Sequence, residues 1–289
     1  MMHLRIAAPN KGRLATPAIE LLKAIGLPLE ESVLTDRKLL AKVGKGQTVL
    51  LARAADIPQY VAGGAADVGI TGVDLLEESA AAVERLQPLG FGRCRLDVAV
   101  PQDSPITTLT QIPPGSVVAT SFPAVVERHF AAAGLPVTVR TVSGATEVTT
   151  HIGVADLIVD LTASGTTLQQ NQLREIGTIL QSEAVLVGNP TFVAAHASEV
   201  AELTATIRSV LDARLRRYLM ANVPRARLEA VREVLPGLDG PTVMDLMGRP
   251  DWVAIHAVAG EREVNGIVAA LRSLGATGIL VMPIERMVP

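Results

Sequence analysis

Along the first two hundred residues of this 289-residue chain, short apolar runs end in glycine- or hydroxyl-rich turns and hand over to helix-start signals. That alternation admits few folds. Strands separated by helices favour parallel pairing, so the pattern predicts an α/β protein with largely parallel sheets. Residues 4–8 read as a strand. Thr16 then offers an N-cap, Pro17 suits the first helical position, and Gly26 closes a helix over 18–25. Residues 67–72 (DVGITG) read as a strand running into a glycine-bounded turn, followed by a helix over 73–81. A second series begins with a strand at 96–101. It continues with a helix at 123–133, a strand at 137–142, another helix and the strand inside 156–168. Residues 183–188 add a strand and 197–217 a long helix.

The tail follows another order: strand 217–223, helix 225–235, a break at Pro236-Gly237, strands 242–246 and 252–259, helix 261–274, strand 277–284. This is β-α-β-β-α-β, the ferredoxin-like arrangement. Such a domain serves small regulators or oligomerisation, and topology alone leaves both open.

Composition removes several function classes. Hydrophobic residues make up 48% of the chain and aromatics only 2%, with charges interrupting every apolar stretch. No run approaches the ~20 residues that span a bilayer, so no membrane role is expected. The N-terminus lacks signal-peptide organisation. A single cysteine, Cys94, excludes an intrachain disulfide framework and suits a reducing cytoplasm. A net charge of −3 with no long Lys/Arg cluster argues against nucleic acid as partner. His151, His196 and His256 stand apart, without zinc-ligand spacing or a triad partner motif.

The segment 156–168, DLIVDLTASGTTL, is richest in candidate chemistry. Leu157, Ile158 and Val159 read as a buried strand between two carboxylates, Asp156 and Asp160. The strand empties into a loop where Gly165 permits close backbone approach and Ser164, Thr166 and Thr167 add donors, a cradle for an anion. Carboxylates repel a phosphate, so the pair suggests a ligand with hydroxyls or a metal beside its phosphate, as in a phosphorylated sugar. An ordinary turn after a core strand fits the spacing equally. Near the N-terminus, Lys11 and Arg13 flank Gly12 between the first strand and helix, a common place for ligand sites in α/β proteins. They could meet an anion or form a solvated turn. Arg53 could reach a phosphate or pair with Asp56. Glu147 follows Gly144-Ala145-Thr146 at a helix start, where acids complement the dipole.

Taken in order, PNKGRL (9–14), DVGITG (67–72), FGRCRL (91–96), GATEV (144–148) and 156–168 resemble the ATP phosphoribosyltransferase family. PGLDGPT (236–242) and VMPIE (281–285) resemble the regulatory domain of its long form. The resemblance implies a bilobal, type II periplasmic-binding-protein-like catalytic core plus a C-terminal ferredoxin-like (ACT-like) βαββαβ domain. Lobe I would comprise residues 1–94 and 184–214, lobe II 95–183, and the regulatory domain 215–289. It also implies Mg²⁺ as cofactor, a homo-oligomer from dimer to hexamer, a cytoplasmic location and inhibition by histidine.

The implied reaction is the first step of histidine biosynthesis: N1 of ATP attacks the anomeric carbon of phosphoribosyl pyrophosphate (PRPP), and pyrophosphate leaves. N1 already carries its lone pair, so catalysis rests on positioning two polyanions and stabilising the leaving group. In this reading Ser164, Gly165, Thr166 and Thr167 hold the 5-phosphate. Asp156 and Asp160 serve the ribose hydroxyls or the metal's outer shell, with Asp160 the stronger candidate because it lies nearer the loop. Glu147 serves a ribose hydroxyl. Lys11, Arg13 and Arg53 face the triphosphate or pyrophosphate, with Lys11, Arg13 and Asp160 as the catalytic set. The metal ligands are unassigned. Asn222, Leu238 and Thr242 lie where an effector could bind. The competing class is a periplasmic-binding-like small-molecule sensor without turnover, and a second rival is a related phosphoribosyl-transferring enzyme using another base.

Overall fold

The computed structural model describes residues 3–30, 39–44, 46–163, 165–235, 237–238 and 240–288. The chain divides into two compact units, residues 1–200 and 201–289. In chain order the first holds β1 (Arg5–Pro9), α1 (Ala15–Ala24), β2 (Leu40–Val43), β3 (Gln47–Ala52), α2 (Ile57–Ala62), β4 (Val68–Gly72), α3 (Val73–Ser79) and β5 (Glu84–Pro88). It continues with β6 (Cys94–Pro101), β7 (Val117–Thr120), α4 (Pro123–Ala132), β8 (Thr138–Thr141), α5 (Val148–His151), β9 (Leu157–Thr162), α6 (Thr166–Gln170), β10 (Leu173–Ser182), β11 (Ala184–Gly188) and α7 (Pro190–Ala195). Helix α8 (Ala197–Arg214) follows, and the second unit adds β12 (Arg216–Pro224), α9 (Leu228–Val234), β13 (Thr242–Asp245), β14 (Trp252–Gly260), α10 (Val264–Ser273) and β15 (Thr277–Pro283).

The first unit contains two sheets, ordered β2-β3-β1-β4-β11-β5 and β10-β6-β9-β7-β8. The chain leaves the first sheet between β5 and β6 and returns at Glu183, between β10 and β11. This double crossing produces the bilobal α/β core that the resemblance implies. Each sheet has a parallel heart, β3-β1-β4 in one and β9-β7-β8 in the other. Pairing elsewhere is antiparallel: β11 with β4 and β5, β6 with β9 and β10, and β2 with β3. The sheets are therefore mixed rather than largely parallel. A strand that enters from the other lobe needs no crossover helix and is free to run against its neighbours.

Burial explains why these residues form these elements. Strands β4 and β11 are buried at every position, as sheet-centre strands with both faces covered must be. Helix α1 buries Ala18, Leu21 and Leu22 on one face. It begins at Ala15, one turn earlier than expected, with Leu14 at the N-cap and no side-chain cap, so Thr16 lies inside its first turn. Leu14 and Ala15 are both buried, and packing rather than capping sets the start.

In the second lobe, Leu96, Val98, Val100, Leu157 and Val159 fill one sheet face with Phe122, Val126 and Phe130. The other face packs Ala99, Ala119 and Ile158 under Leu168 of α6 and Leu173. That second face carries the candidate loop.

The second unit has the expected βαββαβ order, with a fully antiparallel sheet β13-β14-β12-β15. Alternate residues of β12 (Leu219, Ala221, Val223) and β14 (Val253, Ile255, Ala257) turn inward onto Val231 of α9 and Ile267 and Leu271 of α10. The opposite sheet face carries Tyr218 and Met220, and the Tyr218 hydroxyl is hydrogen-bonded to Nδ1 of His256. No helix among the described residues is long and apolar enough to cross a membrane.

Gly69 shows how tightly the first sheet packs. A Cβ there would sit 2.6 Å from Cγ2 of Ile57 and 2.8 Å from Cγ2 of Val61. Gly69→Ala is expected to cost roughly 1–3 kcal/mol through overpacking. Urea unfolding will show this as a lower midpoint at unchanged slope.

Candidate active site

Strands β1, β3 and β4 run parallel, so the segments that follow them leave one edge of the first sheet. The amide of Asn10 donates to Ala52 O at 2.8 Å, placing Lys11 and Arg53 on adjacent strand ends. Both are exposed, and neither has an ion-pair partner among the described residues. Arg13 is placed differently. Its Nη2 donates to both oxygens of Asp74 at 2.9 and 3.0 Å, and its Nε donates to Gly92 O at 3.3 Å. The Asp74 side chain has no solvent exposure. Ser182 Oγ donates to Asp74 Oδ1 at 2.6 Å and accepts from the Asp74 amide at 3.0 Å. Arg13 is thus held by a buried carboxylate and by Gly92 on the outgoing crossing, while Asp74 itself is bonded to Ser182 at the return crossing.

In the second sheet β7, β8 and β9 are parallel with β7 in the middle, so the segments after β8 and β9 leave one edge of the sheet. Asp160 accepts from the Leu161 amide at 2.7 Å and from the Thr146 hydroxyl. Burial pushes its carboxyl above the usual range. The two hydrogen bonds oppose that shift and the charge of Glu147 adds to it. Glu147, Asp160, Gly165, Thr166 and Thr167 are therefore brought to one edge, while Ser164 lies outside the described residues. Gly165, at φ 77°, makes the left-handed turn that starts α6 on Thr166. Helix α6 is only five residues long, so any anion here is served by loop amides and hydroxyls rather than a helix dipole.

Asp156 is not brought to this edge. It precedes β9 at the other end of the strand, where its Oδ2 accepts from the Val117 amide at 2.8 Å. Four residues of strand put it about 13 Å from Asp160. The two acids that bracket the strand in sequence thus stand at opposite edges of the sheet.

Between the crossings lies a cavity of about 500 Å³ lined by Val73, Arg93, Arg95, Thr162, Ala163 and Ser182, with Cys94 in its wall. Burial pushes the Cys94 thiol up, against the pull of the Arg13 charge, which leaves it a poor nucleophile. Asp74, Ser182, Thr146 and Arg95 went unassigned in the sequence reading. The one available signal was the charge of Asp74 inside an otherwise apolar strand-to-helix passage.

In the second unit, Asn222 lies on β12, Thr242 on β13 and Leu238 in the loop before β13. Asn222 pairs with Ala254 and Thr242 with His256, so β14 separates them, with a two-residue offset. They do not form one cluster. Pro236 and Asp239 of the adjoining motif lie outside the described residues.

Comparison with known proteins agrees with this layout. A family model described as ATP phosphoribosyltransferase matches residues 53–209, and one described as HisG, C-terminal domain, matches residues 213–286. ATP phosphoribosyltransferase of Methanothermobacter thermautotrophicus is 45% identical over 289 residues, covering all of both chains. That of Natronomonas pharaonis is 48% identical over 287 residues, covering 99% of this chain and all of its own. Among solved structures, a chain of the ATP phosphoribosyl transferase (HisG:HisZ) complex from Thermotoga maritima aligns with a TM-score of 0.63 at 27% identity, covering 72% of this chain and 98% of its own. The chain belongs to the ATP phosphoribosyltransferase family, in the long form that carries its own C-terminal domain.

Proposed function

We propose that the chain joins PRPP to N1 of ATP at the facing edges of its two sheets, giving N1-(5-phosphoribosyl)-ATP and pyrophosphate. The observation that carries the residue roles is the approach of Thr146 and Glu147 to Asp160, on the strand that leads to Gly165 and Thr166. Hydroxyls and amides of residues 165–167 seat the 5-phosphate. Asp160, already held by Leu161 and Thr146, takes ribose hydroxyls, and Glu147 stands beside it. Lys11 and Arg53, exposed on adjacent strand ends, meet the triphosphate of ATP. Arg13 acts from behind as a positioning residue that fixes the strand-to-helix turns. The N1 lone pair forms the new bond to the anomeric carbon, and the electrons of the breaking C–O bond depart with pyrophosphate. No protein base is needed to make the nucleophile, so these groups act by alignment and charge.

Mg²⁺ fits this site as a substrate-borne ion. Among the described residues no group of three or more His, Cys, Asp or Glu could hold a metal. Mg²⁺ keeps several waters and binds through phosphates and one or two carboxylates, which suits PRPP with Asp160 as the protein contact. When bound, it neutralises charge on the departing pyrophosphate. Histidine inhibition through the second unit, assembly from dimers to hexamers and a cytoplasmic location complete the proposal.

Incubation with ATP, PRPP and Mg²⁺ is expected to raise the ultraviolet absorbance of the N1-adduct. Saturable binding without adduct formation would favour a sensor instead. Asp160→Asn is expected to raise the KM for PRPP with little change for ATP. Its stability effect has the opposite sign. A carboxyl whose pKa is raised by folding binds its proton more tightly in the native state, so its stability contribution falls as pH rises above the usual carboxylate range. At neutral pH the charged form carries that penalty, and Asp160→Asn removes it. Thermal unfolding at pH 7 should show an unchanged or higher midpoint, with the gap from wild type narrowing toward acid. In a chain ending at Arg214, histidine should no longer inhibit. Retained inhibition would place the effector in the first unit.

A further inference from the structure

A phosphate dianion on the loop after β9 needs a cation, and the loop supplies none. No lysine or arginine occurs from Thr141 through Leu173. Acids border the loop: Asp160 and Glu147 at its edge, Asp97 directly across from Asp160 in the β6–β9 register, and Glu175 on β10. Arg174, which lines a cavity with Gly165, donates its Nη2 to the carbonyls of Ser104 and Ile106. Building on the reading that this loop seats the 5-phosphate of PRPP, we propose that Arg95 is a further binding residue whose guanidinium supplies the missing charge.

Three observations converge on Arg95. Its backbone stands opposite Thr162, the residue from which the loop departs. Its side chain is 44% exposed and lines the 500 Å³ cavity with Thr162 and Ala163. Its Nη2 donates to Glu175 Oε2 at 3.0 Å, and Glu175 lines a second cavity, of about 650 Å³, together with Gly165. Arg95 therefore shares one cavity with Thr162 and Ala163, and its partner Glu175 shares another with Gly165 and Arg174.

Asp97 explains how so exposed an arginine keeps one orientation. Its side chain has no solvent exposure, and Thr178 Oγ1 donates to Oδ1 at 2.6 Å. Asp97 Oδ2 lies 3.2 Å from Arg95 Nη2, near enough for charge pairing, yet it has no hydrogen bond of acceptable geometry among the described residues. A buried carboxylate with one oxygen balanced by charge alone holds its cation strongly. These contacts all use Nη2. A planar guanidinium offers five donors, so the rest of the fork remains for a phosphate. Arg93 is the weaker candidate: it is 76% exposed and pairs with Glu183 at the return crossing.

The test uses the full chain and two probes in titration calorimetry. Ribose 5-phosphate carries the 5-phosphate alone, and inorganic pyrophosphate represents the leaving group. The variants are R95K, the double variant R95M/D97N and the loop variant T167V. The double variant removes the exposed cation together with the buried carboxylate it faces, so the Asp97 charge is not stranded. Ribose 5-phosphate affinity should fall about tenfold or more in R95M/D97N and by a smaller factor in R95K, whose point charge lacks the fork. Pyrophosphate affinity should stay within about twofold, and KM should rise for PRPP but not for ATP. If T167V weakens ribose 5-phosphate binding while both Arg95 variants bind normally, the loop reading stands and the Arg95 assignment falls. If pyrophosphate binding is what weakens, Arg95 serves the leaving group and the assignment also falls. If none of the variants changes ribose 5-phosphate binding, the loop reading itself fails. Should R95M/D97N not fold, R95K decides, and unaltered ribose 5-phosphate binding there overturns the proposal.

Discussion

The Asp74 carboxylate is wholly enclosed, and removing such a group from water costs several kcal/mol unless charge and hydrogen bonds replace its hydration. The replacements come from distant parts of the chain. Arg13 arrives from the turn after β1, and Ser182 from the last residue of β10. Arg13 also reaches the carbonyl of Gly92, on the outgoing crossing. One buried charge therefore ties the first sheet to both segments that lead to and from the second. A second tie runs in parallel. Glu78 of α3 accepts from the amides of Ala124 and Val125 at 3.0 Å each, satisfying the first turn of α4 in the other lobe. Leu75 of α3 adds apolar packing against the second lobe's core, so polar and apolar contacts together hold the two sheets.

That arrangement divides labour between the lobes. The first presents exposed cations, Lys11 and Arg53, at its strand ends. The second presents hydroxyls, carboxylates and the anchored Arg95. A polyanionic acceptor suits the first set and a phosphorylated sugar the second. The reacting atoms would then meet between two sheets whose spacing is held by Asp74 and Glu78. A reaction that needs no base to make its nucleophile places its main demand on that spacing.

Much of this was legible before the structure. In the second unit every element fell within a few residues of its expected place, because β12 and β14 alternate inward and outward and α10 has a clean apolar face. Asp160 and Glu147 stand out from residue chemistry alone, and the structure sets Glu147 and Thr146 beside Asp160. Strand β10 was missed for a physical reason. Its pairing with β6 shifts register between Glu175 and Gly177 and again between Thr178 and Leu180, which breaks the two-residue period that marks a strand. Missing β10 hid Ser182, Thr178 and Glu175, and with them the partners of Asp74, Asp97 and Arg95. Asp156 misled because sequence distance says nothing about direction along a strand. Four residues in β9 separate the edge of the sheet that carries the loops from the edge that does not. Arg13 misled because a cation beside a glycine reads alike whether its partner is a ligand or a buried acid.

The acids of the second lobe pose a final question of balance. Asp97 and Asp160 stand directly opposite on neighbouring strands, an arrangement that costs stability when both are charged. Burial, with the nearby charge of Glu147, holds the Asp160 carboxyl above its usual range. A chain selected only for stability would place a threonine or valine at either position. Retaining both is intelligible if a ligand offsets the repulsion. On the proposed reading, ribose hydroxyls would donate to Asp160 and a phosphate would share the guanidinium that lies beside Asp97, and binding would offset the repulsion across the two strands. The pH dependence of this lobe's stability follows from the burial of Asp160 beside Glu147, and the ribose hydroxyls of the proposed ligand would donate to that same carboxylate.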